Sequence, residues 1–125
     1  MHVRRTVLAA FCALALLAGL SQAATYRLRP ADRQAVSAAL DRFVVDAVQR
    51  RDVAASYDLV TPYFRAGVGR RAWAHGTTTV SGFPARGSHF GWTLDQATPG
   101  DVVLDALLQP RKGAKVGAMI FTVEL

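Results

Sequence analysis

Ala31–Arg50 (ADRQAVSAALDRFVVDAVQR) carries apolar residues at Val36, Ala39, Leu40, Phe43, Val44, Ala47 and Val48. Steps of three and four gather these positions into one stripe on an α-helix. Asp32, Arg33, Asp41, Arg42 and Gln49 fall off the stripe. Pro30 suits the first turn, where a missing N–H costs nothing. Asp46 and Arg50 stand four apart with the acid first, which predicts an ion pair along the helix. One amphipathic helix over Ala31–Arg50 is therefore expected, and its apolar face needs a second layer to cover it.

Downstream the sequence predicts short helices and then strands. Asp52 is a natural N-cap for a second helix with Val53, Tyr57 and Val60 on one face. Thr61-Pro62 reads as an N-cap followed by a first-turn proline, restarting a helix through Tyr63, Phe64 and Arg65. Gly67-Val68-Gly69 breaks that helix, and Arg70–His75 predicts one further turn closed by Gly76. Beyond Gly76 the apolar period falls to two. Thr77–Val80 is β-branched and predicts a short strand. Ser81–Ser88, with Gly82, Pro84 and Gly87, predicts a loop.

His89–Ala97 predicts a strand with Phe90, Trp92 and Leu94 on one side, and Pro99-Gly100 a turn. Asp101–Gln109 is a Val- and Leu-rich strand, and Pro110–Gly113 a hairpin turn. Lys115–Leu125 is a last strand. Its two faces are Val116, Ala118, Ile120, Thr122 and Glu124 against Gly117, Met119, Phe121, Val123 and Leu125. Helices followed by a β-meander predict an α+β fold. The sequence stops within an apolar strand, so a further strand, or closure by another chain, is expected.

Upstream, Arg4 and Arg5 precede an apolar run from Thr6 to Leu20, and Ser21-Gln22-Ala23 follows with small residues at the first and last of these positions. That is the order of a secretory signal peptide, with cleavage expected between Ala23 and Ala24. The run is shorter than the roughly 20 residues of a membrane-spanning helix. Retention of residues 6–20 as a membrane anchor is the alternative. Cys12 lies inside the run and Leu20 stands where a lipoprotein would need cysteine. The expected organisation is a signal peptide over 1–23 and one domain over 24–125. That domain contains no cysteine, hence no disulfide and no cysteine nucleophile.

The chain has 125 residues, 51% hydrophobic and 19% charged, which suits a single small domain. Its formal charge of +6 falls to +4 once Arg4 and Arg5 are removed. The bases are thirteen Arg and two Lys, the acids eight Asp and one Glu, and there is no Asn. This balance points to a GC-rich, bacterial coding bias. Scattered arginines without interleaved aromatics argue against nucleic-acid binding. His75 and His89 lie fourteen apart with no paired ligand motif, so no metal site is expected. No serine sits in a G-x-S-x-G elbow. Gly67-Val68-Gly69 lacks the lysine and hydroxyl of a phosphate loop and reads as an inter-helix turn.

Taken together, the long first helix, the second helix at Arg51-Asp52, the Thr61-Pro62 junction and the antiparallel meander resemble the NTF2-like (SnoaL-like, ketosteroid-isomerase-like) superfamily. Arg70-Arg71-Ala72-Trp73-Ala74-His75-Gly76 followed by Val80-Ser81-Gly82-Phe83-Pro84 is similar to secreted actinobacterial members of unassigned function. The resemblance covers most of residues 30–125. It implies a bent sheet wrapped around the long helix, with a conical pocket between them and one more strand at the end. It also implies isomerase or lyase activity in some members, and ligand binding or dimerisation through the sheet in others.

No local motif assigns a catalytic residue here. Candidate pocket residues are Phe43, Asp46, Tyr57, Asp58, Trp73, Phe83 and Trp92. Asp46 or Asp58 could serve as a base only if burial raised its pKa. The leading expectation is a secreted or cell-surface binding module without a cofactor. Its partner would be a small apolar ligand or a protein, including a second copy through the sheet. The alternatives are a cofactor-free lyase or isomerase using a pocket Asp, and an accessory domain of a cell-envelope or secretion complex.

Overall fold

A computed structural model describes residues 26–113 and 115–125. The predicted signal segment and its cleavage point, Ala23–Ala24, lie outside the described residues. Helix α1 runs from Pro30 to Phe43, with proline in its first turn as expected. Val44–Val48 continues it as one π-turn, closed by Gln49 N donating to Val44 O at 2.8 Å. The helix then ends earlier than predicted, because Arg50 has a left-handed φ of 61°. For a residue with a Cβ that conformation costs about 1–2 kcal/mol. The Arg50 guanidinium offsets it by donating to Thr78 Oγ1 at 3.1 Å and to the Val80 carbonyl at 2.7 Å. The expected Asp46–Arg50 pair is therefore replaced, and Asp46 lies 3.6 Å from Arg42 instead.

The next elements are short. They are α2 (Val53–Ser56), a 3₁₀ turn (Tyr57–Leu59), α3 (Pro62–Arg65) and α4 (Arg70–Ala74). Both predicted caps form. Asp52 accepts from Ala55 N at 3.0 Å, and the Thr61 hydroxyl accepts from Phe64 N at 3.2 Å. Left-handed Ala66 and Gly67 end α3, and Gly76, with φ of 93°, follows α4. Thr77–Val80 is not the predicted strand. Thr77 N donates back to Ala72 O, Thr78 N to Gly76 O, and Val80 N to the Thr78 hydroxyl. These local bonds consume the amides a ladder would use.

The sheet contains β1 (Trp92–Ala97), β2 (Asp101–Leu108) and β3 (Gly117–Glu124), antiparallel and in chain order. β1 starts three residues later than predicted. Asp41 on α1 accepts from Phe90 N at 2.8 Å and pairs with His89 Nδ1 at 2.8 Å, so this segment is clasped to the helix rather than laddered. The register slips between Leu94 and Gln96, a bulge that bends the first strand. β2 and β3 pair without a break from Asp101 opposite Glu124 to Leu108 opposite Gly117.

Alternation decides which side chains enter the core. Val102, Leu104, Ala106 and Leu108 are fully buried. They share one cluster with Val36, Leu40, Val44, Ala47 and Val48, five of the seven residues of the predicted stripe; Phe43 is half-buried against the cluster, and Ala39, also predicted to face inward, is exposed. The architecture is α+β: a few helices over one face of an open three-stranded antiparallel sheet.

Candidate functional site

The seven residues proposed to line a pocket do not meet in one place. Tyr57, Asp58 and Trp73 come together around α2 and α4. Trp73 is fully buried, so it belongs to the core rather than to a pocket mouth. Its indole N–H donates to Ser56 Oγ at 3.0 Å, and Tyr57 stacks edge-on against it with centroids 5.9 Å apart. The Arg65 and Arg70 guanidiniums lie 4.0 and 4.5 Å from the Tyr57 ring centroid. Arg65 also donates to the carbonyls of Tyr57 and Val60. This is a clamp that ties the short helices together.

Phe43 belongs to a second group, edge-on to Phe64 and to Phe121. Phe83 lays its ring over Gly117, where a Cβ would come within 2.9 Å of it. A larger residue at position 117 would push the Phe83 ring aside. Trp92 stands apart: its N–H donates to Ser37 Oγ at 2.9 Å, and the Arg33 guanidinium lies 4.5 Å from its ring centroid.

The two candidate bases are both in ion pairs. Asp46 lies 3.6 Å from the exposed Arg42, with its own side chain mostly covered. Asp58 receives two bonds from Arg70, at 2.6 and 2.9 Å. Those bonds hold the Asp58 carboxyl below its ordinary 3.8, against a smaller opposing effect of desolvation. A base working near neutrality needs the opposite shift.

A carboxyl lowered by folding stabilises the native state above its unfolded pKa, and that stabilisation is lost as pH falls through the lower folded value. Asp32 is lowered likewise by Arg29. We expect the melting temperature to fall below about pH 4. Asp58→Asn should flatten part of that fall, and because the pair is exposed the difference should shrink in high salt. Thermal melts from pH 7 to pH 2 check this, and an identical acid limb in the variant contradicts it.

The other face of the sheet presents a different surface. Leu107 is 64% exposed and Ile120 is 77% exposed. The register places Ile120 opposite Asp105, Leu107 opposite Ala118, and Val103 opposite Thr122. These outward positions alternate with the buried ones, so they share one face. Val116, 51% exposed, continues the apolar strip beyond the start of β3. Among the described residues, β3 pairs with β2 alone and forms an edge of the sheet. Sequence reading divides Lys115–Leu125 correctly into two faces but does not single out Leu107 or Ile120. Their only signal is an apolar residue at two of the outward positions, on a face that also carries Asp105, Thr122 and Glu124.

Among the described residues no cluster of three or more His, Asp or Glu could hold a metal ion, and no helix is long and apolar enough to cross a membrane. Comparison with protein-family models, curated proteins and solved structures returns no match.

Proposed function

We propose that this chain is a secreted binding module of NTF2-like architecture, and that it works by docking a second copy of itself through the outer face of the sheet. The observation that carries this is the strip of Leu107, Ala118 and Ile120 on the side of the sheet away from the helices. Large apolar side chains left in water at adjacent positions are the mark of an interaction surface. The same patch on two copies supplies a self-complementary, two-fold contact. The basic, apolar, small-residue order of residues 1–23 supports export. Trp73, Leu104 and Leu108 are fully buried on the helix side, whereas Leu107 and Ile120 stay exposed on the outer face, where they are free to dock.

Ile120→Lys tests the proposal. The side chain is exposed in the single chain, so at concentrations too low for association the melting temperature should stay close to wild type, while at higher concentrations the wild type alone should gain stability from dimerisation. Sedimentation equilibrium should show a concentration-dependent dimer for the wild type and a dissociation constant raised about tenfold or more in the variant, because a lysine must be desolvated at the contact. A wild type that stays monomeric at every concentration tested, or a variant that associates equally well, overturns it.

A further inference from the structure

A second surface lies at the end of α1, away from the strip of Leu107 and Ile120. An open cleft of about 320 Å³ is lined by Val45, Gln49, Arg51, Gly87, Ser88 and Arg111. Three parts of the chain build it: the π-turn and the residues just after it, the loop before β1, and the connection from β2 to β3. The walls are tied to each other. Gln49 Nε2 donates to the carbonyls of Ala85 and Gly87, at 3.1 and 2.7 Å. Arg111 N donates to Pro84 O at 2.9 Å, and Arg111 Nε to Ala85 O at 3.2 Å. Ala85 also bridges Pro110. The π-turn matters here, because its widened backbone carries Val45 and Gln49, and Arg51 N reaches back to Val45 O at 3.2 Å.

The electrostatics of this cleft are one-sided. Two guanidiniums line it, and no carboxylate does. Among the described residues neither Arg51 nor Arg111 forms an ion pair, which they share with several other arginines of the chain. Arg111 is held through its Nε, so its terminal amino groups keep their donors for a ligand. Ser88 contributes a hydroxyl beside them. One arginine held in place and a second, unheld one, beside a serine and with no acid in the lining, match the oxygens of a tetrahedral oxyanion.

We propose that this cleft binds the phosphate or sulfate group of a small molecule, with Arg51 and Arg111 as its charged partners. The volume sits at the lower end of small-molecule sites, which fits a compact ligand rather than a polymer. The proposal is independent of dimerisation, since none of these residues lies on the outer sheet face.

Titration of the ¹⁵N-labelled protein with inorganic phosphate, and separately with sulfate, tests it, with chloride at matched ionic strength as the control. Saturable shifts should appear at the amides of Gly87 and Ser88 and at Arg111 Nε. Arg51→Gln and Arg111→Gln should each weaken binding about tenfold, the loss of one charge-assisted contact. Arg71→Gln, an exposed arginine outside the cleft, should leave it unchanged. Tighter binding of one anion identifies the ester class. Shifts reproduced by chloride, shifts that never saturate, or Arg51→Gln and Arg111→Gln proteins that fold and bind as wild type would overturn the proposal.

Discussion

Trp73→Ala is expected to cost about 3–5 kcal/mol of stability, the range for truncating a buried aromatic to alanine. A domain of this size holds about 5–15 kcal/mol in total, so the variant should be close to unfolding. Two losses combine. The indole is fully buried, and its removal leaves a void that rigid neighbours fill only in part. Its N–H also serves the buried Ser56 hydroxyl, which in turn donates to Val53 O at 2.7 Å, so the side chain links α4 to the inside of α2. Tyr57 loses the ring it stacks on. Urea denaturation followed by circular dichroism measures the effect, and a loss below about 1 kcal/mol would place Trp73 outside the core. Ser56→Ala isolates the polar part. It leaves a buried N–H without an acceptor, for about 1–3 kcal/mol.

Leu104→Ala is expected to cost about 2–5 kcal/mol. Leu104 is fully buried on the central strand, opposite Leu94 on one side and Phe121 on the other. Those neighbours are held by ladders on both edges, so the strand cannot collapse into the space. Leu107→Ala three positions on provides the contrast: it removes similar atoms from a site exposed in the single chain, and at concentrations too low for dimerisation it should cost less than about 0.5 kcal/mol. The two variants together test the facing of the sheet. Equal losses from both would contradict the register described here.

What the sequence made legible was whatever rests on local chemistry. The α1 stripe, the Asp52 and Thr61 caps, the break at Gly67 and the alternation in β2 and β3 all follow from spacing and from single-residue preferences. The misreadings of the backbone share one cause: a polar side chain, distant in the case of Asp41 and Arg50 and local in the case of Thr78, takes a backbone group that the apolar pattern had assigned to a ladder. Asp41 takes Phe90 N and delays β1. Thr78 takes Val80 N, and Arg50 takes Val80 O, so Thr77–Val80 turns instead of extending. Arg50 thereby leaves Asp46 to Arg42.

Site residues were less legible than fold. The proposed aromatic and acidic candidates were chosen by type, and the tertiary fold disperses them among the core, an arginine clamp and the turn that continues α1. The cleft arginines sit at positions 51 and 111, far apart in sequence, and the tie between Gln49 and the loop at 85–87 that brings their walls together has no sequence signal.

Isotope-filtered NOE spectroscopy on an equal mixture of ¹³C-labelled and unlabelled chains tests the docking face most directly, since only contacts between copies survive the filter. Intermolecular signals from the methyl groups of Leu107, Ala118 and Ile120, with none from buried Leu104, are the predicted result. A mixture without intermolecular signals at the concentration of the experiment, or signals confined to residues on the helix side, would contradict docking through the outer face of the sheet.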